Sequence, residues 1–393
     1  MTELVLPRPV LVADPAALTR LAADLAGEPA VGVDTESNSL FAYRERVCLI
    51  QFSLARGDFI VDPLAFPDLE ALRPLFANPR QQKVFHAAEY DLICLKRDYD
   101  FKFANLFDTM VAARTLGWPR LGLAAILQEH FGVTMNKRLQ RADWGRRPLT
   151  SEQLDYARLD THYLLRLRDM LAAELAAAGC SAEAQEEFER LERANGGAGL
   201  ATGAGAAAGA APNSASPNAF WRVNSARDLT PGQAAVLREL FNYRERQAER
   251  ADRPPFKIMS DQTLLEIARL QPANLEKLEV LPGMTSSQVR RHGQQLLAAV
   301  RRGQAAGPLH PPHTEREPDS VRERYELLHQ WRKRRAQARG VESDVIVPRD
   351  ALWELARRNP GSPEALETME HLGPWRRATY GAEILALLRD HGG

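Results

Sequence analysis

The chain of 393 residues carries 51 Lys and Arg against 51 Asp and Glu, and 45% of its residues are hydrophobic. That length allows roughly two to four domains, each with its own core, and no apolar run approaches the roughly 18 residues of a membrane span. The N-terminus lacks the basic and apolar segments of a secretory signal, so we expect a cytoplasmic protein. Three widely spaced cysteines form no CxxC pair, which argues against a thiolate zinc site.

The balanced charge hides an asymmetry along the chain. Residues 221–393 contain 28 Lys and Arg against 23 Asp and Glu, so residues 1–220 contain 23 against 28. An acidic front half is compatible with a carboxylate-rich site, and a basic rear half is compatible with a polyanionic partner. Neither bias decides a function alone, because a difference of about five charges is common.

Strand and helix patterns alternate in the front part of the chain. Segments rich in β-branched and apolar residues predict strands over 29–36, 47–53, 58–62 and 83–86. Helical patterns follow or intervene over 69–76, 88–97 and 151–175. The last helix opens with Thr150-Ser151-Glu152, which is typical of an N-cap. Strands first, then βα units, then helices indicate a mixed sheet with helices on its faces.

Two segments that are poor in large apolar residues or rich in proline divide the chain. Residues 196–218 are almost wholly Gly, Ala, Ser, Pro and Asn, and four prolines interrupt residues 307–318. Behind the first segment the sequence repeats without a gap at an offset of 88 residues, which pairs Arg244 with Arg332. The matches fall on apolar faces and at helix ends, so they predict two copies of one small helical domain.

A pair of acids in VGVDTESNSL is the first candidate for chemistry. Asp34 and Glu36 lie two residues apart on a predicted strand and therefore share a face. Two carboxylates side by side repel each other unless a cation lies between them, and oxygen ligands of this kind suit Mg²⁺ or Mn²⁺. The alternative is a strand end where both acids are solvated.

Two further acidic segments are weak signals when each is taken alone. Asp91 falls in the first turns of a helix, where its interaction with the helix N-terminus is a sufficient explanation. Tyr156 and Asp160 lie four residues apart on one helix face, where a surface pair is a sufficient explanation. Their order along the chain, after the acid pair, is much more specific.

That order resembles the DEDD exonucleases that have a tyrosine in their third motif. The segments KVFHAAEYDL, NLFDTMVAARTLG and QRADWGRRPLTSEQLDYARLDTHYLL resemble the ribonuclease D family in particular, over about residues 25–175. The repeat of 88 residues resembles two HRDC domains. The resemblance implies an α/β fold with a ribonuclease-H-like mixed sheet and flanking helices, followed by two small all-α helical domains.

The resemblance also implies how the chain is divided. The expected parts are an exonuclease domain over 1–195, a flexible linker over 196–218, an HRDC-like domain over 219–304, a linker over 305–318 and a second HRDC-like domain over 319–393. Because a Gly/Ala linker transmits little constraint, we expect the exonuclease domain to fold without the rest.

The family resemblance implies a site for two divalent ions, Mg²⁺ or Mn²⁺. Asp34 would bridge both ions, Glu36 and Asp160 would hold the ion that activates water, and Glu36 could also contact the terminal 3′-hydroxyl. Asp91 would support the second ion through water, and Tyr156 would orient the attacking water. The expected activity is 3′→5′ exoribonuclease action that releases nucleoside 5′-monophosphates from tRNA precursors or other structured RNA with a single-stranded 3′ end.

Residues around these motifs have plainer explanations. We expect His86 to be structural and Asp108 to cap the helix that follows it. Gln51 and Trp144 are expected to pack or to orient loops. None of the four is therefore assigned to the chemistry.

Other residues could contact nucleic acid. Phe41 follows the acid pair and could stack on a terminal base. Each repeat has a basic first helix, over 242–250 and 330–339, which could attract phosphate or could simply be a solvated face. Four arginines between the acidic motifs have the same two explanations, namely Arg138, Arg141, Arg146 and Arg147.

Two other functions remain open at this point. The same chemistry could act on DNA, because discrimination depends on contacts to the 2′-hydroxyl that no sequence motif reveals. A catalytically silent RNA-binding scaffold is the alternative from a different class, and the complete set of acids argues against it.

Overall fold

The computed structural model describes residues 6–193, 216–312 and 316–390, so almost all of the expected linker over 196–218 lies outside the described residues. The described chain forms two compact units. The first unit comprises the described residues of Met1–Ser37, Val47–Thr202 and Arg316–Gly393, and the second comprises those of Asn38–Arg46 and Gly203–Glu315. No helix among the described residues has both the length and the apolar character that crossing a membrane requires.

The first unit is built around a mixed sheet of six strands in the order β1-β4-β3-β2-β5-β6. The strands are β1 (Val10–Val12), β2 (Ala30–Ser37), β3 (Val47–Leu54), β4 (Gly57–Val61), β5 (Gln82–Phe85) and β6 (Leu106–Asp108). The pairs β2–β3 and β3–β4 are antiparallel and the other three are parallel. The predicted mixed sheet and its four predicted strands are confirmed. β1 and β6 were not predicted, because a strand of three residues carries almost no periodicity.

Eight α-helices accompany this sheet before the undescribed segment. They are α1 (Pro15–Ala26), α2 (Arg73–Ala77), α3 (Glu89–Tyr99), α4 (Thr109–Thr115), α5 (Leu123–Phe131), α6 (Ser151–His162), α7 (Leu164–Ala177) and α8 (Ser181–Arg193). The single helix expected over 151–175 is thus two helices that meet at Tyr163. The break lets α6 pack with the cluster around Tyr156 while the leucines of α7 enter the main core.

The start of α6 is fixed by the capping residues that the sequence predicted. The Thr150 hydroxyl accepts the backbone N–H of Gln153 at 3.2 Å, and the Gln153 side chain accepts the backbone N–H of Thr150 at 3.0 Å. This capping box satisfies two donors that the first helical turn would leave unpaired. It therefore sets where the helix begins, and with it the face that Tyr156 and Asp160 occupy.

Two copies of one helical domain follow, as the repeat predicted. The second unit contains α9 (Pro231–Ala251), α10 (Pro255–Ile258), α11 (Asp261–Leu270), α12 (Leu275–Glu279) and α13 (Ser286–Ala305). The end of the first unit contains α14 (Asp319–Arg339), α15 (Ser343–Ile346), α16 (Arg349–Arg358), α17 (Pro363–Glu367) and α18 (Pro374–Asp390). Each helix of the second copy begins 88 residues after its counterpart. Buried Arg244 and Arg332 likewise donate to equivalent carbonyls, those of Met259 and Val347.

The second copy packs against α8 of the first unit. Glu186 accepts the backbone N–H of Trp375 and the guanidinium of Arg376, both at 2.6 Å. Glycine at position 373 allows this approach, because a Cβ there would lie 2.0 Å from the Glu186 carboxyl carbon and would displace the carboxylate. Truncation after residue 195 would remove these partners of Glu186, and the expectation that residues 1–195 fold without the rest stays a prediction.

Candidate active site

Strand β2 presents two of the predicted acids on one face. Asp34 lies opposite Gln51 of β3, and Glu36 lies opposite Leu49. The register shifts between Glu36 and Ser37, and β2 ends there. The two carboxylates therefore project from the last regular residues of a strand whose earlier part is buried.

Helix α6 brings the third acid to this face because one residue of β2 has no side chain. A Cβ at Gly32 would lie 3.1 Å from the carbonyl oxygen of Thr161, which is tighter than an ordinary contact. Glycine at this position thus lets α6 lie close against β2. As a result, one carboxylate oxygen from each of Asp34, Glu36 and Asp160 lies within 4.8 Å of the other two.

Asp91 reaches the same region from the first turn of α3. It is buried, and its carboxylate accepts a hydrogen bond from the hydroxyl of Thr35, the residue between the two acids of β2. Asp91 is not one of the three acids whose oxygens lie within 4.8 Å of one another. It raises the pKa of Asp34 through its charge, which shows that it is still close enough to interact.

The turn before α3 is held by Asp108. Its carboxylate caps α4 by accepting the backbone N–H of Met110 at 2.8 Å, as the sequence predicted. The same carboxylate also accepts the backbone N–H of Ala88 at 2.7 Å. His86 lies beside this turn with its Nδ1 2.9 Å from the Thr109 hydroxyl, which agrees with the structural role expected for it.

The four acids have raised proton affinities. Burial raises the pKa values of Asp34, Glu36 and Asp160 well above their ordinary range, and repulsion from neighbouring carboxylates adds to this effect. Burial also raises the pKa of Asp91 to about 7, although the hydrogen bond from Thr35 opposes the shift. No positive side chain is among the groups that lower these pKa values, so the protein does not compensate the negative charge of the site.

These residues fit a divalent cation. Within the described part of the chain, no ion pair involves Asp34, Glu36, Asp91 or Asp160, and the Oδ2 atom of Asp160 is buried without a hydrogen-bond partner. Clustered carboxylate oxygens are the ligands that Mg²⁺ and Mn²⁺ prefer. A bound cation would supply both the missing charge and the missing partner.

Tyr156 lies one helical turn before Asp160 and is almost completely buried. Burial and the charges of Asp160 and Glu36 raise the pKa of its hydroxyl, which therefore keeps its proton over the physiological range. Gln140 lies close enough for its side chain to lower the pKa of this hydroxyl. Trp144 packs nearby, with 6.0 Å between the centres of its ring and that of Tyr156, in agreement with the packing role expected for it.

Two residues that were expected near nucleic acid have partners within the protein. Arg147 donates two hydrogen bonds of 2.6 Å to the carboxylate of Asp62, so its guanidinium is structural. In the second unit the ammonium of Lys257 lies 4.0 Å from the ring centre of Phe41. The stacking of Phe41 on a base stays a prediction.

The basic first helix of the second repeat, over 330–339, binds most of its charged side chains to other groups of the protein. In the second copy, Arg332, Arg335 and Arg339 are bonded to other groups of the protein. Lys333 and Arg334 are exposed and make no ion pair among the described residues. Much of the basic character of 330–339 is therefore used to hold the fold together.

Sequence reasoning missed three residues that shape the site. Thr35 was hidden between the two acids, and its hydrogen bond to Asp91 depends on a residue 56 positions away. Gly32 gave no signal beyond its place in a strand, where a glycine can mark a close approach of another element. Gln140 lies in a loop whose contact with Tyr156 no periodicity reveals.

Comparisons with known proteins agree with this geometry. A family model described as 3′-5′ exonuclease matches residues 9–176, and a model for the HRDC domain matches residues 233–300 and 321–388. The sheet, the acidic site and the two repeats thus define a 3′-5′ exonuclease followed by two HRDC domains.

Individual relatives specify the family. Ribonuclease D of Acidiphilium cryptum is 30% identical over 387 residues, which cover 97% of this chain and 93% of that protein. The crystal structure of Escherichia coli RNase D matches the fold with a TM-score of 0.69 at 24% identity and covers 98% of this chain and 99% of that one. Protein RRP6-like 3 of Arabidopsis thaliana is 45% identical over 159 residues, but these are 40% of this chain and only 18% of that protein.

The chain therefore belongs to the ribonuclease D family and is a 3′→5′ exoribonuclease. Enzymes of this kind depend on divalent metal, and RNA is their substrate class.

Proposed function

We propose that this enzyme shortens RNA from its 3′ end by a two-metal-ion mechanism and releases nucleoside 5′-monophosphates. The observation that carries the proposal is the group formed by Asp34, Glu36 and Asp160, whose oxygens lie within 4.8 Å of one another without an ion pair among the described residues. Phosphodiester hydrolysis needs charge neutralisation and alignment more than covalent chemistry. A group of uncompensated carboxylates could hold the cations that neutralise phosphate charge, and a protonated tyrosine beside it could align the attacking water.

The proposed roles of the acids are those that the resemblance to the ribonuclease D family implies. Asp34 would hold both ions, Glu36 and Asp160 would hold the ion on the side of the attacking water, and Asp91 would support the second ion through water. When bound, Mg²⁺ or Mn²⁺ ions would neutralise phosphate charge and stabilise the entering and leaving oxygens of an in-line displacement.

The protein's own groups would orient the reactants. Because the hydroxyl of Tyr156 keeps its proton, it would act as a hydrogen-bonding group that orients the attacking water, not as a general base. The carboxylate of Glu36 would also accept a hydrogen bond from the terminal 3′-hydroxyl of the substrate. That contact would select a free 3′ end over an internal phosphodiester.

The proposed substrate is a tRNA precursor or another structured RNA with a single-stranded 3′ end, in the cytoplasm. Support comes from the E. coli relative, which is described as an exoribonuclease involved in structured RNA processing. An exonuclease site that holds the 3′ terminus needs an unpaired end, whereas structure farther upstream can be held by the helical domains.

Digestion of matched RNA and DNA oligomers tests this proposal. The full-length protein should shorten 5′-labelled RNA one nucleotide at a time in Mg²⁺ or Mn²⁺, yield nucleoside 5′-monophosphates and stop in EDTA. RNA with a blocked 3′-hydroxyl is the matched control and should persist. Faster digestion of the DNA oligomer would overturn the assignment of RNA as substrate, and activity that survives EDTA would overturn the metal mechanism.

A further inference from the structure

The loop between α5 and α6, residues 132–150, is unusually basic for a segment so close to a group of acids. It contains five Lys and Arg against one acid, Asp143. Arg147 is paired with Asp62. The other four cations are exposed and make no ion pair among the described residues, namely Lys137, Arg138, Arg141 and Arg146.

The apolar residues of this loop fasten it to the site. Met135, Leu139 and Trp144 belong to the same packed cluster as Tyr156. Trp144 is 1% exposed, so the loop is anchored at its centre by a large buried side chain. With its apolar residues turned inward, the loop presents its charged side chains to solvent.

One short turn of the loop contains a residue that packs in the cluster, a residue beside Tyr156 and an exposed cation. Leu139, Gln140 and Arg141 form a 3₁₀ turn, in which Leu139 packs against the cluster that contains Tyr156 and Gln140 lies close to the Tyr156 hydroxyl. Arg141 follows directly in the chain. The loop therefore carries an exposed cation in the same short turn as a residue that lies close to the Tyr156 hydroxyl.

The charge of the loop is not used to neutralise the site. No ion pair among the described residues joins its cations to Asp34, Glu36, Asp91 or Asp160, and the raised pKa values of these acids agree with that. A group of acids repels a polyanion, so an exonuclease of this kind needs a separate attractive surface for the substrate backbone. The exposed loop cations provide one.

We propose that the α5–α6 loop binds the phosphate backbone of the substrate upstream of the cleaved bond and positions Tyr156 through Gln140. This inference rests on the proposed function, because it assigns a contact surface to the same nucleic-acid substrate. Lys137, Arg138, Arg141 and Arg146 would contact phosphates without reading sequence. Gln140 would be a positioning residue, since it acts on the reaction through Tyr156.

Neutralising two of the loop cations tests the backbone contact. Full-length protein carrying Arg138→Gln and Arg141→Gln should show a KM for short oligoadenylate raised about tenfold, with kcat within about twofold, because only binding to phosphate is lost. The plot of log(kcat/KM) against log salt should become shallower by about 1.4 for two lost contacts on a single strand. Adding Lys137→Gln and Arg146→Gln should enlarge both effects.

Arg80→Gln with Lys102→Gln is the matched control. Both residues are exposed, and they precede β5 and β6, at the ends of these strands remote from Phe85 and Asp108. The control removes the same charge near the starts of β5 and β6 and should leave KM and the salt slope unchanged. Equal effects of the two double variants would show that the loop acts only through net charge, and the backbone contact would be wrong.

Removing the contact of Gln140 tests the positioning role. Gln140→Leu should lower the single-turnover rate at saturating RNA about tenfold without raising KM, as expected for a group that acts in the transition state. In a Tyr156→Phe background the same change should have almost no further effect, because the hydroxyl it holds is gone. Full additivity of the two changes would show that Gln140 does not act through Tyr156.

These outcomes separate the inference from the proposed function. If the unaltered protein does not shorten RNA in Mg²⁺ or Mn²⁺, the proposed function fails before any variant is compared. If it does, and the loop variants keep the original KM and salt slope, the loop is not the backbone contact while the proposed function stands.

Discussion

Two groups of carboxylates in the first unit are held in opposite ways. Asp34, Glu36 and Asp160 approach one another within 4.8 Å and have no cationic partner among the described residues. Glu186 and Glu187 of α8 are also buried close together, but Arg376 lies 2.6 Å from one and 2.8 Å from the other. The protein itself completes the second group with a guanidinium and leaves the first without one.

The proton affinities of the two groups reflect this difference. Burial, with repulsion between the acids, raises the pKa of each acid in the first group. Burial alone would also raise the pKa of Glu187, yet Arg376 and Arg190 together hold it below its ordinary value. Buried acids therefore indicate a metal site only where the fold withholds a positive side chain.

The largest expected effect is on turnover, when an acid of the first group loses its charge. Asp34→Asn or Asp160→Asn should lower the single-turnover rate by about a thousandfold or more while RNA affinity and the melting temperature change little. Combined changes should not be additive, because the acids act as one unit. The rate should be measured at saturating RNA with Mg²⁺.

Asp155→Asn is the matched control for this prediction. Asp155 lies on the same helix as Asp160, is more than half exposed and pairs with the nearly buried guanidinium of Arg158, which also donates to the carbonyl of Pro7. Its loss should leave the rate unchanged, because Asp155 is not assigned to the chemistry. Full activity of Asp34→Asn in the presence of EDTA would remove the distinction between the two groups of acids.

The next effect concerns stability and tests the second group. Arg376→Ala leaves Glu186 buried without its partner and should lower the free energy of unfolding by about 3–5 kcal/mol. The fraction that remains folded should keep its kcat, since Arg376 is not assigned to the chemistry. Urea unfolding and active-site-normalised rates measure the two quantities. If Arg376→Ala kept its stability and lost its rate, the second group would belong to the chemistry, and its assignment to stability would be wrong.

Most of the fold and of the candidate site could be predicted from the sequence. The packing between segments that are distant in the chain could not. Four strands followed from β-branched periodicity, and the two helical copies followed from the offset of 88 residues, because both signals are local. The shared face of Asp34 and Glu36 followed from the period of a strand. These features need no knowledge of distant residues.

Contacts between distant residues could not be predicted in this way. Glu186 and Arg376 are 190 positions apart, and nothing in either segment distinguishes a buried ion pair from a solvated charge. The approach of Asp160 to β2 was expected only through the family resemblance, since it depends on the absence of a side chain at Gly32. Roles for Asp34, Glu36, Asp91, Tyr156 and Asp160 stay proposals until the variants are measured.

Tyr156 tests the role of the first group of acids further, because it lies one helical turn before Asp160. Tyr156→Phe removes only the hydroxyl, so metal binding should survive while water orientation suffers, and the rate should fall about 10- to 1000-fold. Single-turnover kinetics give the effect on chemistry, and a metal titration followed by melting temperature shows that the site still forms. An unchanged rate would mean that the residue contributes packing alone.

The smallest expected effect is the dependence of the melting temperature on pH and on metal. It distinguishes the two groups of acids without any activity measurement. Asp34, Glu36, Asp91 and Asp160 have folded-state pKa values above their ordinary ones, so the folded protein without metal binds more protons than the unfolded chain. Stability from this source is present at low pH and is lost as pH rises through the folded values, about 7 for Asp91.

In EDTA the melting temperature should therefore fall between about pH 5 and pH 8, by a few degrees if no other group compensates. Mn²⁺ binds the ionised carboxylates, so it should restore the loss and raise the melting temperature more at the higher pH. Asp34→Asn should weaken both the pH dependence and the response to Mn²⁺, whereas Glu186→Gln, in the group that already has its guanidinium, should lower stability and leave the response to Mn²⁺ intact. An equal response to Mn²⁺ in both variants would show that the cation binds elsewhere, and the first group would then be a cluster of neutral, protonated acids.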